Sequence, residues 1–89
     1  MPEIQLQIKN DVGLHARPAA LFVQTASAFK STINVRHGER TANAKSILNI
    51  LTLGAGQGAV VTVTAEGEDA AEALMALEQL VAGNFGEAA

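Results

Sequence analysis

Apolar and polar residues alternate at the start of the chain, where Ile4, Leu6 and Ile8 are interleaved with Glu3, Gln5, Gln7 and Lys9. A two-residue period of this kind predicts a strand with one buried face. Asn10, Asp11, Val12 and Gly13 end it. The period then lengthens: Ala19, Phe22, Val23, Ala26 and Phe29 recur at helical spacing, so a helix opens near His15, turns this stripe toward a core and ends around Lys30-Ser31-Thr32. Ile33 and Val35 restore the strand period, and Gly38-Glu39 forms a turn into Arg40-Thr41-Ala42-Asn43, the return of a hairpin.

Ser46 is placed to cap a short helix, Ile47-Leu48-Asn49-Ile50-Leu51, that is apolar almost all round. Ile47, Ile50 and Leu51 are expected to face the core, which leaves Leu48 at the boundary, a feature associated with docking surfaces. Gly54, Gly56 and Gly58 follow. They come after a helix and no Lys-Ser/Thr pair closes them, so they predict a flexible connection rather than a phosphate loop. Val60 to Ala65 is rich in β-branched residues and makes the fourth strand. Asp69 and Glu72 have the form of a capping box opening a last helix, whose stripe is Leu74, Leu77 and Val81 and whose end is Gly83. The last six residues are expected to fray. The element order β-α-β-β-α-β-α has no repeat or linker and predicts a single α+β domain over residues 1–89, a two-layer open-faced sandwich with helices on one face of a four-stranded sheet.

The chemistry concentrates at Gly13-Leu14-His15-Ala16-Arg17-Pro18-Ala19-Ala20. Gly13 allows a turn and the alanines favour helix, so His15 falls at or beside the N-cap. Pro18 lies in the first turn, where a missing N–H removes nothing. The unpaired amides of Ala16 and Arg17, with the Arg17 guanidinium, make this helix mouth a place to hold an anion, a phosphoryl group in particular. The positive end stabilises the charge that an added phosphoryl group brings. His15 therefore suits reversible phosphoryl transfer. His37 shares parity with Ile33 and Val35 and sits beside a turn without any phosphate-binding feature, so a structural part is expected for it.

Gly13-Leu14-His15-Ala16-Arg17-Pro18-Ala19 resembles the active-site signature of the HPr family, the histidine-containing phosphocarriers of the bacterial sugar phosphotransferase system. Asn43-Ala44-Lys45-Ser46-Ile47-Leu48, followed by Leu51-Thr52-Leu53-Gly54, resembles that family's regulatory-serine segment, and the similarity runs from about Ile4 to Val81. The resemblance implies an antiparallel sheet of order 1-4-2-3. It further implies that His15 accepts a phosphoryl group on Nδ1 from the phosphohistidine of enzyme I and passes it to sugar-specific enzyme IIA domains. Ala16, Arg17 and Pro18 would form the phosphoryl-binding helix end, and Ala20, Leu48 and Leu51 the docking surface. Ser46 would be the target of an HPr kinase/phosphorylase, with a catabolite-repression regulator reading the product. Such a protein is a monomeric covalent intermediate and not a self-contained enzyme. Val12, Gln24, Ser27 and Asn49 depart from residues common in the family.

Composition narrows the alternatives. Apolar residues are 48 % and charged residues 17 % of 89, which is globular composition, and cysteine is absent, which excludes disulfides and thiol chemistry. The two histidines lack metal-ligand spacing, and no cofactor is expected. No run of residues matches a signal peptide or a membrane span, so a cytoplasmic location is expected. The net charge of −3 hides a division: all six basic residues precede Ser46, and six of the nine acidic residues follow it. That distribution is not a nucleic-acid footprint, but a basic half around His15 could guide acidic protein partners. Two other classes remain: a regulatory module of HPr fold working through phospho-Ser46 alone, and an acylphosphatase-like enzyme using Arg17 and Asn10. The presence of His15 weighs against the first, and the missing phosphate-loop pattern against the second.

Overall fold

In the computed structural model, which describes residues 2–9 and 13–86, the strands are β1 (Glu3–Gln7), β2 (Thr32–His37), β3 (Arg40–Asn43) and β4 (Val60–Glu66). The helices are α1 (Ala16–Ser27), α2 (Ile47–Leu51) and α3 (Ala70–Ala82), followed by a single 3₁₀ turn at Asn84–Gly86. The sheet order is β1-β4-β2-β3 and every neighbouring pair is antiparallel. The last strand in sequence thus lies between the first two. This gives the α+β architecture and the 1-4-2-3 order expected by resemblance.

Register explains the one-sidedness of the sheet. Ile4, Val63, Val35 and Ala42 stand in one row across all four strands, and Leu6 pairs with Val61 and Ile33 with Ala65. These residues face the helices, which contribute Ala19, Phe22 and Ala26 from α1, Ile50 from α2, and Ala73, Leu74, Leu77 and Val81 from α3 to one core. Phe22 is fully buried. Val23 and Phe29 of the expected stripe pack at the margin of that core. The alternate parity places Gln5, Thr62, Arg36 and Thr41 in a polar row on the open face. Burying a single face is what a strict two-residue alternation requires.

Four local expectations are corrected. Asp69 occupies the N-cap of α3, but its side chain makes no capping bond; the carboxylate instead accepts from the backbone amides of Lys30 (2.8 Å) and Ser31 (2.9 Å) and from the Ser31 hydroxyl. Three donors at the α1–β2 turn outcompete one amide of its own helix. Gly67 makes the approach possible, since a Cβ there would lie 2.6 Å from Ser31 Oγ. The chain beyond Gly83 does not fray at once: Gly86 N donates to the Gly83 carbonyl (3.0 Å), and Asn84 and Phe85 take left-handed φ values of 59° and 57°. That reversal buries Phe85, whose apolar ring offsets the backbone strain.

In α2 only Ile50 is buried, whereas Ile47 and Leu51 are each 37 % exposed and Leu48 is 72 % exposed. Ile47, Ile50 and Leu51 share a face by spacing, but only Ile50 reaches the core and the other two flank it at the surface. The glycine-rich segment after α2 is tied down and not a loose connection. Gly58 N donates to the Ile8 carbonyl (2.6 Å), Ile8 N to the Ala59 carbonyl (2.8 Å), and Leu14 N to the Ala55 carbonyl (2.8 Å). The expected break at Asn10-Asp11-Val12 lies outside the described residues.

Candidate functional site

His15 is the N-cap of α1, with extended backbone angles of −134° and 154° and no side-chain capping bond. Its imidazole is exposed. The helix is launched by the Ala19 amide donating to the His15 carbonyl (3.4 Å), so the ring stands at the open end of the first turn. The Ala16 and Arg17 amides of that turn have no acceptor within the helix, and Pro18 has no amide to offer. Pro18 is fully buried and anchors the turn, while Ala16 and Arg17 are exposed. The sequence therefore places two amide donors and one guanidinium beside an exposed imidazole, an arrangement that holds an anion.

Two features fix the approach to this turn. Ala16 follows His15 with φ of 38°, a left-handed value that costs an alanine conformational energy and marks the first residue of α1 as strained. Gly13 (φ 66°) packs so tightly that a Cβ would lie 2.4 Å from the Ala55 carbonyl oxygen and 2.5 Å from Gly56 Cα. The close approach lets Leu14 reach the Ala55 carbonyl and bury its side chain. The loop after α2 is therefore the floor of the His15 turn. Residue spacing carried no signal of this contact, which joins segments about 40 positions apart.

The second predicted element is α2. The Ser46 hydroxyl accepts from the Asn49 amide at 3.4 Å, the expected N-cap, and Ser46 is half-buried. Asn49 uses its side-chain oxygen to accept from the Asn43 amide (3.4 Å) and so ties α2 to the end of β3. Lys45, beside Ser46, donates from Nζ to the Phe29 carbonyl at the end of α1 (2.7 Å). Helices α1 and α2 pack together. Leu48, with Ile47 and Leu51, forms an exposed apolar patch on α2; Ile47 belongs to it although the sequence pattern turned it inward. Ala20 on α1 is half-buried.

His37 is not part of this arrangement. Its Nδ1 lies 2.9 Å from the Leu53 carbonyl, a structural contact as expected. Gln24 and Ser27 are exposed on α1, and Val12 lies outside the described residues. Among the described residues no group of three or more His, Cys, Asp and Glu side chains could hold a metal ion, and no helix is long and apolar enough to cross a membrane.

Comparison with known proteins shows the family and agrees with the fold. The family model for the PTS HPr component phosphorylation site matches residues 2–83. Phosphocarrier protein HPr of Neisseria meningitidis serogroup A is 44 % identical over 82 residues, 92 % of each chain. Among solved structures, HPr-C-His from Thermoanaerobacter tengcongensis superposes with a TM-score of 0.97 at 54 % identity, covering all of both chains. A phosphocarrier protein HPr from Bacillus anthracis gives 0.86 at 46 % identity, covering 90 % of this chain and 95 % of that one. The chain belongs to the HPr family of phosphocarrier proteins of the phosphotransferase system.

Proposed function

We propose that His15 is the residue that carries the phosphoryl group, accepting it on Nδ1 from the phosphohistidine of enzyme I and passing it to sugar-specific enzyme IIA domains. The observation that carries this reading is an exposed imidazole at the N-cap of α1, beside first-turn amides without intrahelical acceptors and the exposed Arg17. In uptake the Nδ1 lone pair of His15 attacks phosphorus as the donor's N–P bond breaks, the proton staying on Nε2; in delivery a nucleophile of the enzyme IIA domain attacks phosphorus and the His15 Nδ1–P bond breaks, its electron pair returning to Nδ1. The Ala16 and Arg17 amides receive phosphoryl oxygens and the Arg17 guanidinium neutralises their charge. The partner enzymes complete each transition state, so the protein is an intermediate and not a catalyst by itself. No cofactor is needed, and the protein works as a cytoplasmic monomer.

The apolar patch of Leu48 and Leu51, with Ala20 on the neighbouring helix, supplies the docking surface for both partners. Ser46 is the regulatory position. A phosphate on its hydroxyl adds about two negative charges at neutral pH, on the same short helix as Leu48, and so weakens docking to an acidic donor enzyme. An HPr kinase/phosphorylase would place it and a catabolite-repression regulator would read it.

The test is incubation with phosphoenolpyruvate and enzyme I, followed by intact-mass measurement before and after acid treatment. One acid-labile phosphoryl group on the wild-type protein and none on His15→Ala is the expected result. No addition to the wild-type protein, or an addition that survives in the variant, overturns the proposal.

A further inference from the structure

The floor of the His15 turn is held from below by the β2–β3 hairpin. Arg40 donates from Nη1 to the Thr52 carbonyl (2.8 Å), and the His37 ring lies with Nδ1 2.9 Å from the Leu53 carbonyl. A carbonyl only accepts, so His37 Nδ1 carries the hydrogen. These two consecutive carbonyls immediately precede Gly54 and Ala55. The Thr52 and Leu53 amides close the end of α2 on the Leu48, Asn49 and Ile50 carbonyls, and the buried Leu53 side chain holds the segment against the core. None of these contacts holds the Thr52 and Leu53 carbonyls, and Gly54 (φ 66°) is the residue best able to absorb a change there. Two side-chain bonds to successive carbonyls remove that freedom. What they fix passes directly to the site, because Ala55 supplies the carbonyl that receives the Leu14 amide, and its oxygen and Gly56 form the surface against which Gly13 rests.

We infer that His37 and Arg40 are positioning residues for phosphoryl transfer: a clasp that holds the Thr52–Ala55 backbone, and through it the Leu14 amide and the angle at which His15 is presented. The inference rests on His15 being the phosphoryl acceptor. The far end of the same loop is fixed by backbone bonds of Ile8 with Gly58 and Ala59 and by Gln57 Nε2 donating to the Lys9 carbonyl (3.4 Å), so the clasp can be removed by side-chain substitution while that end and the site residues stay as they are.

Hydrogen exchange at the Leu14 amide reads the clasp without reference to phosphorylation. In a His37→Ala/Arg40→Ala double variant, exchange at Leu14 should rise at least about tenfold, the loss of two modest hydrogen bonds, while amides paired between β2 and β4 keep wild-type protection. Phosphoryl uptake from phospho-enzyme I should fall roughly fivefold at saturating donor, with the KM for the donor unchanged because the α2 patch is untouched. A His37→Asn/Arg40→Lys variant, which retains a donor at each position, should recover most of both effects. Unchanged Leu14 exchange in the double variant, with normal phosphorylation of both proteins, overturns the clasp alone. Faster exchange with an unchanged rate overturns its positioning function. A wild-type protein that accepts no phosphoryl group overturns the phosphocarrier reading and the clasp's part in it together.

Discussion

The carboxylate of Asp69 accepts the backbone amide of Ser31 at 2.9 Å and the hydroxyl of the same residue, across 38 positions of sequence. With the Lys30 amide as a third donor, the bond ties the start of α3 to the turn between α1 and β2. The Ser31 hydroxyl first, and the Lys30 amide next, hold the Asp69 carboxyl below its ordinary value of 3.8. A depressed folded value means that the folded state binds this proton less readily than the unfolded chain. Its stabilising effect is therefore complete above the ordinary value and lost as pH falls through the depressed one. Asp69→Asn should lower the melting temperature at neutral pH, and its curve should converge on that of the wild type in strong acid. Parallel curves through the acid range would show that the carboxylate contributes nothing by its charge.

The floor contact at Gly13 can be separated from backbone conformation. Gly13 and Gly38 have nearly the same φ, 66° and 63°, but only at Gly13 would a Cβ meet backbone; at Gly38 it meets open space. Gly38→Ala should cost about 1 kcal/mol, the left-handed penalty alone. Gly13→Ala should cost at least about 1 kcal/mol more, because neither Ala55 nor Gly56 has a flexible side chain in the way that could yield. Urea denaturation of the two variants measures the difference, and equal costs would mean that the loop moves aside freely.

Phe85 is almost entirely buried in a stretch expected to fray. Replacing it with alanine should destabilise the fold by roughly 3 kcal/mol, the usual loss for a buried phenylalanine. A change below about 0.5 kcal/mol, the range of ordinary surface substitutions, would mean that the ring is not held in solution.

Leu48 presents the opposite case. At 72 % exposed it contributes little to folding, so Leu48→Ala should leave stability within about 0.5 kcal/mol of wild type. If the α2 patch docks partners, the same substitution should raise the KM of enzyme I for the protein by roughly tenfold, the effect of losing a buried interface anchor. An unchanged KM would remove Leu48 from the docking surface.

How much of this could be read from the chain depended on whether the cause was local. The alternation of Ile4, Leu6 and Ile8 and the stripe of Ala19, Phe22, Val23, Ala26 and Phe29 report faces directly: the structure buries Leu6, Ile8, Ala19, Phe22 and Ala26 and packs Ile4, Val23 and Phe29 at the margin of the core. The N-cap at His15 follows from Gly13, Pro18 and the alanines, all within a few residues. Strand order did not follow from periodicity, which says which face is buried but not which strand lies beside which. Asp69 was misassigned because a capping box is defined by neighbours three positions apart, whereas its donors lie in another turn. The same limit hid Gly13 against Ala55, and a helix as short as α2 offers too few positions for a period to show which residues turn outward.

The central claim is that one nitrogen of one histidine carries the phosphoryl group. Nitrogen-15 and phosphorus-31 spectra of the protein after reaction with phosphoenolpyruvate and enzyme I test it most directly, because a P–N bond perturbs the ring that forms it. The expected result is a phosphorus-coupled Nδ1 in His15, with the His37 ring unchanged in its contact with the Leu53 carbonyl. A phosphoryl group found on His37, or only on Ser46, would contradict the account.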